Sequence, residues 1–566
     1  MDQVHEALAG KRLLEDGSLL TCESLARMYM ERIYAHNDAP QPGSGLPVRG
    51  VLAINPLAIE QARELDALYA RDEGVADRFL HCMPVLLKDN YDTVDYPSTQ
   101  GSYSMLGHQA GVDAHSVANL RKAGALILGK ANQDEFAFFT TGFSSRAIQV
   151  SNPYNTSESP AGSSSGTGAS IASNFALGGT GSDTCQSIRH PSSVNGLVGI
   201  RPSLGVISQH GIFPLSHVRD TGGPMTRTVK DAALMLQAMA GVDPRDPKTL
   251  LYPESMRPDS YVQFLDTEIH GVAGRNIGVV RQLGNNTNAA GTGRQGELIA
   301  QAVEKMRSMG ATVYDVYLPD FVNRGAGSSH YDMNEYFKTF EAEGGTSERA
   351  CVSSTAIDLL ADRDTVAHGR SVCTDIQGIV ETGRVGPRTA ALFALTATGD
   401  PNRAPTEEQL QAIVDVRDYT TSVMDALVDE NGDPVLDAEQ NPVRLDALVL
   451  SPGPTGGRTC DFGSTTQMGS IVVPVGFDES VGVPRGMEIF VRQYDEGTGL
   501  GIAHDFEQAT LHRAPPNLVS SPLLVNDTVT EFNARMQQAL IDGTSEAPET
   551  IPLETYQQVL SDITGL

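Results

Sequence analysis

The sequence lacks any run of about 18 consecutive apolar residues, the length that a membrane-spanning helix requires. Its first residues, MDQVHEALAGKRLLEDG, also lack the apolar core of a secretory signal peptide. We therefore expect a cytoplasmic protein that does not contact a membrane.

Basic residues are scarce as well. The chain has 41 Lys and Arg against 70 Asp and Glu, which gives a formal net charge of −29. A protein that binds nucleic acid neutralises phosphates with clustered Lys and Arg, and no such cluster is present. The composition therefore argues against a nucleic-acid partner and favours a small molecule.

The six cysteines are scattered and form no C-x-x-C pair; they are Cys22, Cys82, Cys185, Cys351, Cys373 and Cys460. This spacing predicts neither a zinc site nor a disulfide framework. Cys351 and Cys373 are near enough in sequence to approach each other, but two such thiols are more often reduced. We expect no metal and no cofactor.

What the chain does have is length and an ordinary apolar content. Its 566 residues are 40% hydrophobic and 20% charged, which indicates a globular protein with a large core. Length alone does not decide between one domain and several. The sequence shows no internal repeat.

Local patterns predict an alternation of helices and strands. TCESLARMYMERI, which begins at Thr21, and PLAIEQARELDALYAR have the spacing of amphipathic helices, and the apolar run from Met83 to Leu87 predicts a buried strand that ends at Lys88. RNIGVV, GELIAQAVEKMRSM and ATVYDVYL form a β-α-β pattern, which indicates parallel strands. Thr406 and Gln409 are a candidate capping box for a later covering helix, and LDALVLSP predicts a strand.

The stretch from Ala161 to Pro202 is unusually rich in Gly and Ser. Glycine allows a close approach of backbone N–H groups to a ligand, and serine supplies hydroxyls that can attack or relay protons. A flexible linker is the alternative. Apolar groups such as Phe175-Ala176-Leu177 interrupt the stretch, however, and favour a folded site.

Two general motifs are candidates for this stretch. A phosphate-binding P-loop requires a Lys directly after its last Gly, but Thr167 follows Gly166 and no Lys occurs between Gly166 and Arg189. Residues 162–166, GSSSG, match the nucleophile elbow of α/β-hydrolases, with Ser164 as nucleophile. That motif follows a buried strand, whereas SNPYNTSESPA precedes it here, so the elbow is the weaker hypothesis.

The same stretch resembles the signature segment of the amidase signature family. The family has a Gly-Ser-Ser-Gly loop, followed by an element that stands here as GSDTCQSIRHPS, and a strand-end motif that stands here as PVLLKDN. The resemblance extends through the block from Gly223 to Leu236 and thins near the C-terminus. Residues 321–446 match no part of the family and are interpreted as a divergent covering region within a single domain of residues 1–566.

The resemblance implies a fold and a catalytic triad. The fold is α/β, with a mixed, mostly parallel central sheet covered by helices on both faces. The triad would be Lys88, Ser163 and Ser187, with Ser187 as nucleophile and with a cis peptide bond at Gly162–Ser163 or Ser163–Ser164. Lys88 can act as a base only when neutral, which requires burial to lower its pKa from about 10.4. A surface Lys88 paired with Asp89 is the structural alternative.

The resemblance also implies an oxyanion hole made of backbone N–H groups, which maps onto Thr184, Cys185, Gln186 and Ser187. Here the sequence departs from the family, because Cys185 and Gln186 replace two glycines. Asp183 and Arg189 are interpreted as an ion pair that braces this loop, and His190 as a packing or rim residue.

The segment FAFFTTGF falls where the family lines its acyl pocket, which suggests Phe136, Phe138, Phe139 and Gly142 as substrate-binding residues. Core packing is an equally good reading of each ring taken alone. The expected activity is hydrolysis of hydrophobic or aryl amides, and possible extensions are carbamates (urethanes) and esters. The alternatives are the amidase component of a tRNA-dependent amidotransferase and a binding protein that kept the fold without catalysis. The oligomeric state is left open.

Overall fold

The computed structural model describes residues 1–14, 17–37, 47–71, 78–322, 329–347, 404–453 and 460–518, together with residues 379 and 389. Cys351 and Cys373 lie outside this part. No helix among the described residues is long and apolar enough to cross a membrane.

The helices, in chain order, are α1 (Asp2–Ala9), α2 (Cys22–His36), α3 (Ala58–Arg71), α4 (His115–Lys122), α5 (Ser165–Ala172), α6 (Arg189–Val194), α7 (Val229–Met239), α8 (Thr267–His270), α9 (Gly293–Ser308), α10 (Ser329–Ala342), α11 (Glu407–Asp425), α12 (Cys460–Thr466) and α13 (Glu496–Thr510). The strands are β1 (Val51–Ile54), β2 (Pro84–Lys88), β3 (His108–Gln109), β4 (Leu126–Ala131), β5 (Phe143–Ser144), β6 (Ile148–Gln149), β7 (Gly178–Asp183), β8 (Val198–Arg201), β9 (Thr221–Thr226), β10 (Asn276–Leu283), β11 (Thr312–Leu318), β12 (Thr346–Ser347), β13 (Ala447–Leu450), β14 (Ser470–Asp478) and β15 (Val483–Phe490).

Eleven strands form one mixed sheet in the order β1-β4-β2-β7-β9-β8-β14-β15-β13-β10-β11. The pairs β4–β2, β2–β7, β13–β10 and β10–β11 are parallel, and the remaining pairs are antiparallel. The predicted mixed α/β class is confirmed, but the expectation of a mostly parallel sheet is wrong, because four of the ten neighbouring strand pairs are parallel and six are antiparallel. Its parallel pairs lie toward the two ends of the sheet, whereas the centre is antiparallel.

Helices cover both faces of this sheet, as neighbouring residues of β2 show. Val85 and Leu87 belong to a core that contains α4, α7, α9 and α13, while Leu86 points into a second core with α2, α3 and α5. Because alternate residues of a strand face opposite sides, a fully apolar strand is expected where both faces are covered. Lys88 ends this strand and is completely buried.

Several local predictions are confirmed. Thr21 and Ser24 form a capping box at the start of α2, and Thr406 and Gln409 form another at the start of α11. The β-α-β pattern corresponds to β10, α9 and β11, with β10 and β11 parallel. Side-chain acceptors at these helix starts satisfy backbone N–H groups that have no partner within the helix.

The prediction that the cysteines form no disulfide framework is wrong. Cys22, the first residue of α2, is joined to Cys82, which lies just before β2. Cys185 is disulfide-bonded as well. The Cys22–Cys82 bond links residues 60 positions apart, and spacing rules for short motifs contain no information on such a pair.

The C-terminal end of α5 is held by arginine side chains from three distant parts of the chain. Arg32 donates to the Ser173 carbonyl at 2.8 Å, and Arg227 donates to those of Ile171 and Ala176 at 3.1 and 2.8 Å. Arg513 donates to the Ala172 carbonyl at 3.4 Å. Cations at this end of a helix satisfy its last carbonyls and complement its dipole.

A buried ion cluster fixes the end of β7 against its neighbours. The Asp183 carboxylate contacts Arg189 at 3.2 Å and Arg201 at 3.0 Å, and Arg189 also contacts Glu488 of β15 at 3.0 Å. All four side chains are at most 1% exposed. Burial pushes the pKa of Asp183 upward, but Arg189 and Arg201 outweigh it and hold that pKa below its usual value. The predicted Asp183–Arg189 pair is present.

Substituting Asp183 by Asn should destabilise the fold, because it leaves two buried guanidinium groups short of one anion. Removing one partner of a buried ion pair typically costs about 3–5 kcal/mol. Asp315→Asn is the matched control: Asp315 pairs with Arg281 at 2.7 Å, but both side chains are about half exposed, and such pairs contribute about 1 kcal/mol or less. Urea unfolding of both variants measures the difference. Equal losses would contradict a bracing role for Asp183.

Candidate active site

The centre of the candidate site is the contact between Lys88 and Ser163. Lys88 Nζ lies 2.7 Å from Ser163 Oγ, 2.9 Å from Ser182 Oγ and 3.3 Å from the Ser182 carbonyl oxygen. Burial lowers the pKa of Lys88 to about 7, although the negative charges of Asp134, Asp183 and Asp220 act to raise it. A substantial neutral fraction of Lys88 can therefore accept a proton near neutral pH.

The turn that carries Ser163 contains a cis peptide bond at Gly162–Ser163, one of the two positions predicted. The Asp134 carboxylate accepts hydrogen bonds from the Thr141 and Gly142 N–H groups, and Asp134 N–H donates to the Ser163 carbonyl at 3.0 Å. A Cβ atom on Gly162 would lie 2.0 Å from Asp134 Oδ2. Glycine at position 162 is therefore required for this close approach.

Ser187 lies beside the same turn, because Ser164 N–H donates to the Ser187 carbonyl at 3.2 Å. It follows the loop from Thr184 to Gln186, which connects β7 to α6. Ile188 N–H donates to Asp183 Oδ2 at 2.9 Å, so the ion cluster fixes the far side of the loop. The structure thus brings the two predicted serines and the lysine to one place.

A cavity of about 300 Å³ opens onto Ser187. Its lining residues are Ala137, Phe138, Phe139, Thr140, Thr184, Cys185, Ser187, Leu215, Ser216, Arg219 and Ser329. Thr184 and Cys185 of the predicted oxyanion loop are among them, whereas Gln186 is not. The cavity combines aromatic walls with hydroxyl groups next to Ser187, a composition typical of small-molecule sites.

The four predicted substrate-binding residues separate into two groups. Phe138 and Phe139 line the cavity, with ring centroids 6.4 Å apart. Phe136 instead packs against Phe213 in a buried aromatic cluster, and Gly142 lies in the turn that Asp134 holds. Phe136 has a φ of 54°, in the left-handed region, so the backbone turns between this ring and the next.

The sequence did not indicate that α10 forms part of this site, since the motif comparison predicts only a covering region for residues 321–446. Ser329, its first residue, lines the cavity, and Tyr336 OH donates to the Asp92 carboxylate at 2.9 Å. The same hydroxyl lies 2.9 Å from His108 Nε2. The signal that could have shown the packing of α10 is the helical spacing of four apolar residues on one face, Met333, Tyr336, Phe337 and Phe340.

Two residues considered from sequence lie away from the cavity. Ser164 is fully buried, and its hydroxyl lies 3.3–3.4 Å from the backbone of Ser182 in β7. His190 is partly buried next to Gly453, and desolvation together with Arg485 lowers its pKa to about 3. Neither residue is placed to attack a substrate in the cavity.

Comparisons with known proteins agree with this geometry. The sequence model of the amidase family matches residues 48–340. A probable amidase of Arabidopsis thaliana is 30% identical, over 88% of this chain and 89% of its own length. A glutamyl-tRNA(Gln) amidotransferase subunit of Cupriavidus metallidurans is 28% identical, over 90% of this chain and 96% of its own length.

Among solved structures, native peptide amidase from Stenotrophomonas maltophilia matches with a TM-score of 0.70 and 28% identity, covering 91% of this chain and 98% of that one. The family model matches more than half of this chain, and the sequence relatives and the fold agree with that match. The chain therefore belongs to the amidase signature family of amide hydrolases.

Proposed function

We propose that the chain cleaves amide C–N bonds through an acyl-enzyme on Ser187, with Ser163 and Lys88 as the proton relay. The observation that carries this proposal is the 2.7 Å contact between Lys88 Nζ and Ser163 Oγ in a fully buried setting. A serine hydroxyl is a weak nucleophile at neutral pH and requires a base. A neutral lysine beside Ser163 supplies one.

In the proposed reaction, Ser187 Oγ attacks the carbonyl carbon while its proton passes to Ser163 Oγ, and the Ser163 proton passes to Lys88 Nζ. The carbonyl π electrons move to oxygen and form a tetrahedral oxyanion. The C–N bond then breaks, and the relay returns one proton to the leaving amine. Water releases the acid from Ser187 by the same route in a second cycle.

The oxyanion requires hydrogen-bond donors that are in position before the reaction. We assign this role to backbone N–H groups of the loop formed by Thr184, Cys185, Gln186 and Ser187. Because only N–H groups are used, the Cys185 and Gln186 side chains do not prevent the chemistry. Cys185 lines the cavity and therefore shapes it.

The substrates we propose carry a flat or hydrophobic acyl or amine group. Phe138 and Phe139 form an aromatic wall next to Ser187, and Leu215 and Ala137 add apolar surface. Aromatic rings bind flat groups by offset stacking or edge contacts. Aryl amides are the first class to test, and aryl carbamates and esters follow because they present the same carbonyl carbon to Ser187. We place this reaction in the cytoplasm.

The amidotransferase alternative has relatives among the similar sequences, one of which is the protein from Cupriavidus metallidurans. An enzyme of that kind would take its ammonia from a small polar amide such as glutamine and would work with partner proteins. The two assignments can be distinguished by measuring the rates at which the protein hydrolyses an anilide and free glutamine. The apolar wall of the cavity favours the anilide.

Ser187→Ala should abolish hydrolysis of an anilide while leaving the fold intact, because only one hydroxyl is removed. Ser164→Ala is the matched control in the adjacent turn, and it should retain activity. A fluorophosphonate probe followed by peptide mapping should label Ser187 in the wild type. Labelling of Ser164, or turnover that persists in Ser187→Ala, would refute the assignment and would favour a different nucleophile or a binding protein.

The pH profile should follow Lys88. Below a pKa of about 7 the ammonium form cannot accept a proton, so kcat/KM should fall about tenfold per pH unit on the acidic side and level off on the alkaline side. His190, with its pKa lowered to about 3, does not titrate in this range. Measurements with an anilide and the matching aryl ester in wild type and His190→Gln test this. An acidic limb that disappears in His190→Gln would transfer the role of base to histidine.

A further inference from the structure

Three side chains of the kind that bind metals meet between the start of α2 and the start of β2. The sulfur atoms of Cys22 and Cys82 and a ring nitrogen of His81 all lie within 4.8 Å of one another. The three residues are at most 2% exposed. Within the ranges that the structure describes, no other group of three His, Cys, Asp or Glu side chains is as close. The cluster precedes β2, whereas Lys88 ends that strand, and it has no role in the proposed relay.

Backbone contacts hold both cysteines independently of the bond between their sulfur atoms. Cys22 N–H donates to the Asp66 carboxylate at 2.7 Å, and the capping box at Thr21 fixes this end of α2. Cys82 N–H donates to the Gly124 carbonyl at 3.1 Å. With Cα atoms 5.2 Å apart, the two sulfur atoms therefore remain neighbours when the disulfide is reduced.

His81 completes the set of donors. Its Nε2 lies 3.6 Å from Cys22 Sγ, and its ring stacks on Tyr69 with centroids 5.4 Å apart. Its Nδ1 is buried and has no hydrogen-bond partner. A neutral imidazole is the form of histidine that ligates metals.

We propose that Cys22, His81 and Cys82 form a redox-controlled binding site for a soft divalent cation such as Zn²⁺. Two thiolates and an imidazole are ligands typical of zinc, with Zn–S distances of about 2.3 Å and Zn–N distances of about 2.0–2.1 Å, and a water molecule completes the tetrahedron.

The reaction balances with a phosphine or a dithiol as reductant. Two electrons and two protons convert the disulfide to two thiols. A phosphine supplies the electrons and becomes the phosphine oxide by taking oxygen from a water molecule, which also gives the two protons, whereas a dithiol supplies both electrons and protons and becomes a disulfide. Binding of the cation then displaces the two thiol protons, because thiolates are the ligands. Hydrogen peroxide reverses the process: the two thiolates form the disulfide, the peroxide takes up their two electrons and two protons from solvent to give two water molecules, and the cation leaves.

Both the Cys22–Cys82 disulfide and a cation bound in its place connect α2 to the chain directly before β2, the strand that ends at Lys88. In a reducing cytoplasm, where disulfides rarely persist, the cation would replace the covalent link. The reduced protein should therefore be stabilised by the cation, since a ligand that binds only the folded state raises the free energy of unfolding.

The test is a titration of the full chain with Co²⁺ and Zn²⁺. The protein is reduced with a phosphine, desalted without oxygen and titrated with Co²⁺, which gives thiolate-to-metal absorption. We expect about one Co²⁺ per chain, which Zn²⁺ displaces, and a rise in Tm when Zn²⁺ is added. Protein that has been oxidised with hydrogen peroxide should bind neither ion at this site.

Variants then assign the ligands. Cys22→Ser and Cys82→Ser should lose the absorption, and the Cys351→Ser/Cys373→Ser control should keep it. His81→Gln retains the disulfide, so its folding can be verified in the oxidised form, and it should bind Co²⁺ more weakly after reduction. A reduced wild type without thiolate-to-cobalt absorption would overturn the proposal, as would full absorption in Cys22→Ser or a wild-type affinity for Co²⁺ in His81→Gln.

Discussion

The candidate site depends on the removal of one ammonium group from water. Lys88 ends a strand that is buried on both faces, and loss of hydration disfavours its charged form. Three carboxylates act in the opposite direction, and the balance leaves a pKa of about 7. A strand with one solvated face would leave the lysine charged at neutral pH. The burial of β2 on both faces and the lowered pKa of Lys88 therefore have one cause, which is the exclusion of water.

The carboxylates in this balance are themselves tightly held. Asp183 is paired with Arg189 and Arg201, and Asp134 is bound by backbone N–H groups of its own turn. Their charges are thus partly compensated by near neighbours. A carboxylate in direct contact with Lys88 would raise its pKa much further. Distance and compensation together allow acidic residues to surround the site without abolishing a neutral lysine.

Local patterns predicted much of this arrangement. The capping residues Thr21 and Thr406 and the apolar strand before Lys88 are short-range signals, and their elements are confirmed. Long-range partners carry no such signal. Glu488 joins Arg189 across 299 residues, and Cys22 meets Cys82 across 60. Phe136 and Phe138 are two residues apart, which predicts that they line the same pocket. Positive φ angles at residues 136 and 137 turn the backbone between them, so the two rings do not share one pocket.

The arginines at the far end of α5 have a consequence for the behaviour of the site across the pH range. This helix begins directly after the turn with Ser163 and Ser164, and guanidinium groups hold its other end. Arginine keeps its proton in proteins, so these hydrogen bonds do not titrate when Lys88 does. The helix stays anchored while the charge at the opposite end appears and disappears. Acidification should thus switch the base off reversibly and leave its framework in place.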